Sequence, residues 1–147
     1  CARSFFSEKI EKRIAQLKLQ KQVEFLGYVP DDEFASLYRQ ALALVHPSFL
    51  EGFSLTGLEA MALNCPVIAA NSSCLPEIYQ DSVLYFDPKN PADLVKQIKL
   101  LQNSPDLRKK LISLGKQQVA KYSWTKTAQE TLSFYEKIIN YKSKIED

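Results

Sequence analysis

The sequence predicts a doubly wound α/β domain, in which helices cover both faces of a parallel sheet. Short apolar segments such as ALALVH, VIAA and VLYF lack alternating polarity, which is typical of strands buried on both faces. Segments with helical spacing of apolar residues lie between them, and this order favours parallel pairing. At 147 residues and 46% hydrophobic content the chain suits one core, so one domain over residues 1–147 is predicted.

Composition argues against several classes of function. The 19 basic and 17 acidic residues are spread along the chain, so no basic face predicts a nucleic-acid partner. Three cysteines and one histidine without ligand spacing predict no metal site, and so sparse a count is typical of a reducing, cytoplasmic compartment. Cys65 and Cys74 flank an apolar strand and are predicted to be buried thiols. No apolar run approaches the roughly 20 residues that a membrane span requires.

The first half of the chain predicts alternating helices and strands. Gly27 and Pro66 mark two of the boundaries, since glycine and proline interrupt regular structure. The predicted elements are a helix with apolar positions from Phe6 to Leu17, a strand Val23–Leu26, a helix capped by Asp31, a strand 41–46, a helix from about Thr56 to Asn64 and a strand 67–70.

The second half predicts one more strand followed by helices. After a short PEIYQ turn, VLYF at residues 83–86 makes the fourth predicted strand. Asn90 and Ser104 each precede a proline and are predicted to cap helices whose first position that proline takes. Ser123 is the predicted cap of the last helix, Trp124 to about Tyr141, with Trp124 as a packing anchor.

The segment HPSFLEGFSLTGLEAMA joins a predicted strand to a predicted helix. In open α/β sheets ligands bind beyond the carboxyl ends of strands, and His46 lies at such an end. The first backbone N–H groups of a helix lack intrahelical partners and carry the positive end of its dipole, which suits a diphosphate. Gly52 would let the backbone approach such a ligand closely. The predicted contributors of these N–H groups are Phe53, Ser54, Leu55 and Thr56.

Two glutamates flank this stretch with seven residues between them. Glu59 would lie about one turn into the helix, where its carboxylate can accept two hydrogen bonds from ribose hydroxyls. Glu51, on the loop side, would touch a group beyond the phosphates, such as a sugar. A simpler alternative is that Glu59 only favours the helix dipole and Glu51 is a solvated loop acid. His46 shows no partner acid in the sequence, and a loop-shaping role is predicted for it rather than base catalysis.

The segment EGFSLTGLEAMALNCPVIAANSSCLPEI resembles the E-x7-E signature of the family 4, or group 1, retaining glycosyltransferases. The resemblance extends from Val23 to about Ile139. It implies a GT-B fold, in which two Rossmann-like domains face a cleft, and this chain resembles part of the C-terminal, donor-binding one. A nucleoside diphosphate sugar is the implied donor, with transfer at retained anomeric configuration and with no catalytic metal or other cofactor.

The resemblance also implies a role for particular residues. Glu51 resembles the acid that contacts the donor sugar and supports transfer, and Glu59 the acid that holds the ribose. The remaining implied donor contacts are the backbone of Gly52, Phe53, Ser54, Leu55 and Thr56 at the diphosphate and sugar, and the loop Gly27, Tyr28 and Val29 around the base.

Some features of the family pattern have no counterpart here. Thr56 stands where proline is common, and the family's first strand–helix–strand, with its basic diphosphate contacts, is missing. The chain begins with Cys1 and is expected to start partway through a longer protein. Its implied partner is an N-terminal acceptor-binding domain, in the same or another chain, and without it we expect no transfer.

Further partners and alternative functions stay open at this point. A truncated sheet would leave an unpaired edge, which favours self-association. The lysines of LRKKLISLGKQQVAKY could contact a membrane that carries a lipid-linked acceptor, although a solvated helix face is the simpler interpretation. The main alternative is a non-catalytic module derived from a glycosyltransferase, and a weaker one is a nucleotide-sugar epimerase.

Overall fold

The computed structural model describes residues 5–143, which divide into two compact units. The first unit is Cys1–Leu37 and the second is Tyr38–Asp147. The first unit contains helix α1, Phe5–Gln16, and most of helix α2, Asp31–Gln40. A single domain over residues 1–147 stays a prediction.

Helix α1 confirms the helical spacing read from the start of the sequence, but the strand predicted at Val23–Leu26 is wrong. These residues have no regular structure, and every strand pairing among residues 5–143 lies in the second unit. An apolar segment becomes a strand only when a neighbour completes its ladder of backbone hydrogen bonds. The apolar character of this segment was therefore a poor guide without its pairing partner.

Helix α2 begins one residue earlier in its hydrogen bonding than the sequence predicted. The Phe34 N–H donates to the Pro30 carbonyl oxygen at 2.8 Å, so Pro30 is the residue that flanks the helix. Asp31 is the first residue of α2 and not its cap, which corrects the prediction. Its carboxylate still lies in the first turn, where a negative charge favours the helix dipole.

A three-stranded parallel sheet forms the centre of the second unit. Strands β1 (Leu44–His46), β2 (Val67–Ala70) and β3 (Leu84–Phe86) lie in the order β1-β2-β3. Leu44 pairs with Val67 and Ile68 with Leu84, in register along both ladders. All residues of β2 are buried, which explains why VIAA shows no alternation. The parallel α/β architecture is confirmed, with three strands in place of the four predicted.

Helices connect and cover the strands. Asn90 accepts a hydrogen bond from the Ala92 N–H at 3.1 Å, Ser104 from the Leu107 N–H at 3.3 Å and Ser123 from the Lys126 N–H at 3.4 Å, which confirms three predicted caps. The segment predicted as a PEIYQ turn is instead a short helix and a following 3₁₀ turn. The helices of this unit are α3 (Leu55–Ala62), α4 (Leu75–Tyr79), α5 (Pro91–Asn103), α6 (Pro105–Val119) and α7 (Trp124–Ser143), and the 3₁₀ turn is Gln80–Ser82.

The core of the second unit lies between the sheet and helices α3, α5 and α6. Helix α6 approaches α3 at Gly115, where an added Cβ would lie 3.0 Å from Met61 Cγ. Cys65 is buried as predicted, whereas Cys74 is only half-buried. Trp124 is 79% exposed, so its predicted role as a packing anchor is wrong. Among residues 5–143, no helix combines the length and apolar character needed to cross a membrane.

Removing buried volume from β2 should destabilise the second unit much more than removing exposed volume from α7. Ile68 is 0% exposed, and Ile68→Ala should lower the free energy of unfolding by about 2–5 kcal/mol because it leaves a cavity. Exposed Leu132→Ala on α7 should change it by less than about 0.5 kcal/mol. Urea unfolding of both variants and the parent measures this, and equal losses would contradict the assignment of the core.

Candidate functional site

The candidate site lies at the carboxyl ends of the parallel strands. β1 ends at His46, and residues 47–54 lead from it to the start of α3 at Leu55. Because β2 runs parallel to β1, the loop that follows Ala70 leaves the same edge of the sheet. The predicted site residues between Glu51 and Glu59 lie on the loop of residues 47–54 and on the first turns of α3, as the sequence predicted.

The loop after β2 holds the backbone of Glu51. Ser73 Oγ accepts the Glu51 N–H at 3.2 Å and donates to the Glu51 carbonyl oxygen at 2.9 Å. Ser72 Oγ donates to the Phe49 carbonyl oxygen at 2.7 Å. Neither serine was predicted as a site residue from the sequence. Their position shortly after the buried strand β2 was the signal that could have identified them. Together they fix where the backbone presents the Glu51 side chain.

His46 holds the side chain of Glu51. Its Nε2 lies 3.1 Å from Glu51 Oε1, with side-chain exposures of 12% for His46 and 32% for Glu51. Side-chain hydrogen bonding from Ser48 and His46 holds the pKa of Glu51 below its ordinary value of 4.5. The Ser48 hydroxyl donates to the Leu50 carbonyl oxygen at 3.1 Å. The sequence analysis found no acid for His46, and the structure provides one.

The N-terminus of α3 depends on one buried tyrosine. Ser54, the residue before the helix, adopts the left-handed conformation with φ 70° and ψ 73°. The Tyr79 hydroxyl lies 3.0 Å from the Ser54 carbonyl oxygen and 2.6 Å from Ser54 Oγ, and it accepts the Gly57 N–H at 3.2 Å. Burial raises the pKa of Tyr79, so its hydroxyl keeps its proton. Sequence patterns gave no indication of this role for Tyr79.

Two backbone N–H groups at the start of α3 stay available for a ligand. Among residues 5–143, no hydrogen bond uses the N–H of Leu55 or Thr56, whereas that of Gly57 is taken by Tyr79. Both free groups lie at the positive end of the helix dipole. A Cβ at Gly52 would meet no atom within 4 Å, so protein packing does not require glycine there. The first turn can therefore receive an anion from the side of the loop.

The other predicted site residues lie in different surroundings. Glu59 is an exposed residue of α3. The pKa of Tyr38 is raised, mainly by the burial of Tyr38 itself and to a smaller extent by the charge of Glu59. The ring of Phe53 packs edge-on against Tyr122 with 5.4 Å between centroids, and Phe53 stays 41% exposed. Gly27, Tyr28 and Val29 belong to the first unit, so their role at the base stays a prediction.

Carboxylate, imidazole and hydroxyl are also the groups of serine-hydrolase triads. Here Ser54 Oγ lies 3.2 Å from His46 Nδ1 but only 2.6 Å from the Tyr79 hydroxyl, inside the protein. The Ser54 hydroxyl is thus hydrogen-bonded to both His46 and Tyr79, and we do not assign it the role of a nucleophile. What the site offers a ligand is a carboxylate beside two free N–H groups.

The family model described as "Glycosyl transferases group 1" matches residues 6–118. The chain belongs to the group 1 glycosyltransferases. This glycosyltransferase chain is 37% identical over 115 residues to the O-antigen chain mannosyltransferase B of Escherichia coli. That alignment covers 77% of this chain and 30% of the mannosyltransferase, so the chain spans less than a third of that relative's length.

Solved structures agree with this assignment. Sucrose-phosphate synthase from Thermosynechococcus elongatus superposes with a TM-score of 0.82 at 26% identity, over 91% of this chain and 34% of the synthase. Anabaena HepE, solved in complex with UDP, gives a TM-score of 0.79 at 19% identity, over 89% of this chain and 36% of HepE. The parallel sheet of this glycosyltransferase chain is therefore part of a GT-B fold.

The packing of Tyr79 against α3 is testable with two glycine substitutions. A Cβ added at Gly57 would overlap the ring and hydroxyl of Tyr79, so Gly57→Ala should destabilise the glycosyltransferase chain by about 1–3 kcal/mol. Gly52→Ala, whose Cβ meets open space, is the matched control and should change stability by less than about 0.5 kcal/mol. Thermal unfolding measures both, and a Gly57→Ala variant as stable as the parent would disprove the contact.

Proposed function

We propose that the chain is the donor-binding part of the C-terminal domain of a GT-B enzyme. The enzyme would transfer a sugar from a nucleoside diphosphate sugar to an acceptor, with retention at the anomeric carbon. The observation that carries the proposal is the pair of free N–H groups at the start of α3, between Glu51 and Glu59, at the carboxyl end of β1. The relatives that this chain resembles are transferases, which disfavours a non-catalytic module.

The diphosphate would bind at the first turn of α3. The N–H groups of Leu55 and Thr56 can donate to phosphate oxygens, and the helix dipole favours the negative charge. As the bond to the sugar breaks, charge grows on the leaving diphosphate, and donors fixed in advance stabilise it. On this proposal the helix N-terminus, with basic side chains outside this chain, takes the place of a metal ion. The UDP bound to HepE, a chain of the same fold, supports a nucleoside diphosphate as ligand.

Glu59 and Glu51 would hold the two ends of the donor. An exposed carboxylate on α3 can accept both ribose hydroxyls, which gives Glu59 the nucleoside end. Glu51 has its backbone held by Ser73 and its side chain held by His46, which suits an acid that must face a sugar in one orientation. Its lowered pKa keeps it ionised, so it can stabilise positive charge that develops at the anomeric carbon.

The rest of the cleft would come from an N-terminal domain, in the same chain or another. That domain would bind the acceptor, which on this proposal includes lipid-linked acceptors at the cytoplasmic membrane surface. Uniting both substrates in one geometry is a large part of catalysis, so the 147-residue chain alone should transfer no sugar.

Substitution of the two glutamates in the complete enzyme separates their roles. Glu59→Ala removes a charged acceptor worth about 1.5–3 kcal/mol, so it should weaken a nucleoside diphosphate and its sugar conjugate alike, by roughly 10- to 150-fold. Glu51→Ala should leave the bare nucleoside diphosphate nearly unchanged and weaken only the sugar conjugate or its turnover. Isothermal titration calorimetry with uridine, guanosine and adenosine diphosphates and their sugars measures each case.

Glu130→Ala is the control for this experiment, because Glu130 is an exposed glutamate on α7 outside the site and outside the matched family region. It should bind every ligand as the parent does. If Glu59→Ala binds the nucleoside diphosphate as tightly as Glu130→Ala, then Glu59 does not hold the ribose and only favours the helix dipole.

A further inference from the structure

The hydrogen bonds around His46 connect the first turn of α3 with the carboxylate of Glu51. His46 Nε2 lies 3.1 Å from Glu51 Oε1, and His46 Nδ1 lies 3.2 Å from Ser54 Oγ. Ser54 Oγ lies 2.6 Å from the Tyr79 hydroxyl, which in turn accepts the Gly57 N–H at 3.2 Å. Four contacts thus link five groups from three parts of the chain, and the last of them reaches the acid that the proposed function places at the donor sugar.

Proton counting assigns a direction to these contacts. The ionised Glu51 can only accept, so His46 must donate from Nε2, and a neutral imidazole then accepts at Nδ1. The Ser54 hydroxyl is the closer donor to Nδ1, at 3.2 Å against 3.3 Å for Tyr79, and in donating there it accepts from Tyr79. The buried Tyr79 hydroxyl keeps its own proton to donate. The Tyr79 proton has two acceptors on Ser54 within reach, the hydroxyl oxygen at 2.6 Å and the carbonyl oxygen at 3.0 Å, and we assign it to the closer one.

We propose that His46, Ser54 and Tyr79 are positioning residues for Glu51, acting through one directed chain of hydrogen bonds. The chain runs from the Gly57 N–H through Tyr79, Ser54 and His46 to the Glu51 carboxylate. It holds His46 in the tautomer that carries its proton on Nε2, and it thereby fixes the rotation of the carboxylate. This inference rests on the role of Glu51 in the proposed function, but the hydrogen-bond chain is a property of the protein without any donor.

The arrangement has a consequence for how the site works. Hydrogen bonds in a chain polarise one another, so the positive end of α3 strengthens the bond that reaches Glu51. The turn that would hold the diphosphate and the acid that would face the sugar are then one rigid assembly. Loss of the His46 side chain should misorient Glu51 without removing a contact to the nucleotide.

The tautomer can be read directly, because His46 is the only histidine in the sequence. A long-range proton–nitrogen correlation spectrum of the ¹⁵N-labelled 147-residue chain at pH 8 reports which ring nitrogen carries the proton. We expect a protonated Nε2 and an unprotonated Nδ1 in the parent, and a mixture of the two tautomers in Ser54→Ala. A parent spectrum with the proton on Nδ1 or with averaged signals overturns the inference.

Kinetics of the complete enzyme tests the consequence for Glu51. His46→Leu removes the residue that contacts Glu51, and we expect kcat to fall by about 10- to 100-fold while the donor KM changes less than about threefold. Tyr79→Phe keeps the ring against Gly57 but removes the hydroxyl, and it should lower kcat by a similar factor. His46→Gln keeps one donor and one acceptor and should recover a substantial part of the lost kcat.

Tyr85→Phe is the matched control. Its hydroxyl donates to the Gln80 carbonyl oxygen at 2.8 Å, so the substitution also removes a tyrosine hydrogen bond to the backbone, but outside the chain that reaches Glu51. It should leave kcat and the His46 spectrum unchanged. If Glu51→Ala abolishes transfer while Tyr79→Phe and His46→Leu match Tyr85→Phe, the positioning inference fails and the proposed function stands. If Glu51→Ala is fully active, the proposed role of Glu51 fails, and with it the inference.

Discussion

The hydroxyl of Tyr79 is the interaction on which the site depends. It contacts the carbonyl and hydroxyl oxygens of Ser54 and the N–H of Gly57, and so it holds a non-glycine residue in the left-handed conformation directly before α3. Such a conformation costs roughly 1–3 kcal/mol and persists only where its surroundings compensate. Tyr79 compensates it from a fully buried position, and Gly57 leaves the space in which the ring lies. The direction in which the first turn of α3 points follows from this pair.

The parallel sheet explains why so few residues suffice to build the site. Strands β1 and β2 end at one edge, so the loops that follow them meet there without a long connection. The first loop carries Glu51, and the second carries Ser73, which accepts from and donates to the backbone of Glu51. Backbone and side chain of the acid are thus held by different elements. In such folds the binding and catalytic residues usually lie on loops that a rigid scaffold positions.

The sequence was a good guide where local chemistry decides the structure. Asn90 and Ser104 cap their helices as predicted because a cap needs only its own side chain and the next few N–H groups. VIAA is a strand because a continuous buried run has few alternatives between two helices. The family and the E-x7-E segment were likewise readable, because their residues lie close together in the chain.

The sequence was a poor guide where a residue depends on distant partners. Val23–Leu26 looked like a strand, yet pairing is decided by a neighbour that no local pattern reveals. The apolar Trp124 proved to be exposed, since burial depends on what covers a helix and not on the helix alone. His46 and Tyr79 are 33 residues apart, so their contact became visible only in the fold. The support of Glu51, unlike its position, could therefore not be predicted.

The central claim is that the first turn of α3 is the anion-binding part of a donor site. An amide proton–nitrogen spectrum of the 147-residue chain, titrated with uridine and guanosine diphosphates to millimolar concentration, tests it most directly. If the diphosphate binds at this turn, the largest shifts fall on the amides of Leu55 and Thr56, with a smaller change at Gly57, whose N–H is held by Tyr79. Shifts concentrated on helices α5 to α7, with none at Leu55 and Thr56, would contradict it.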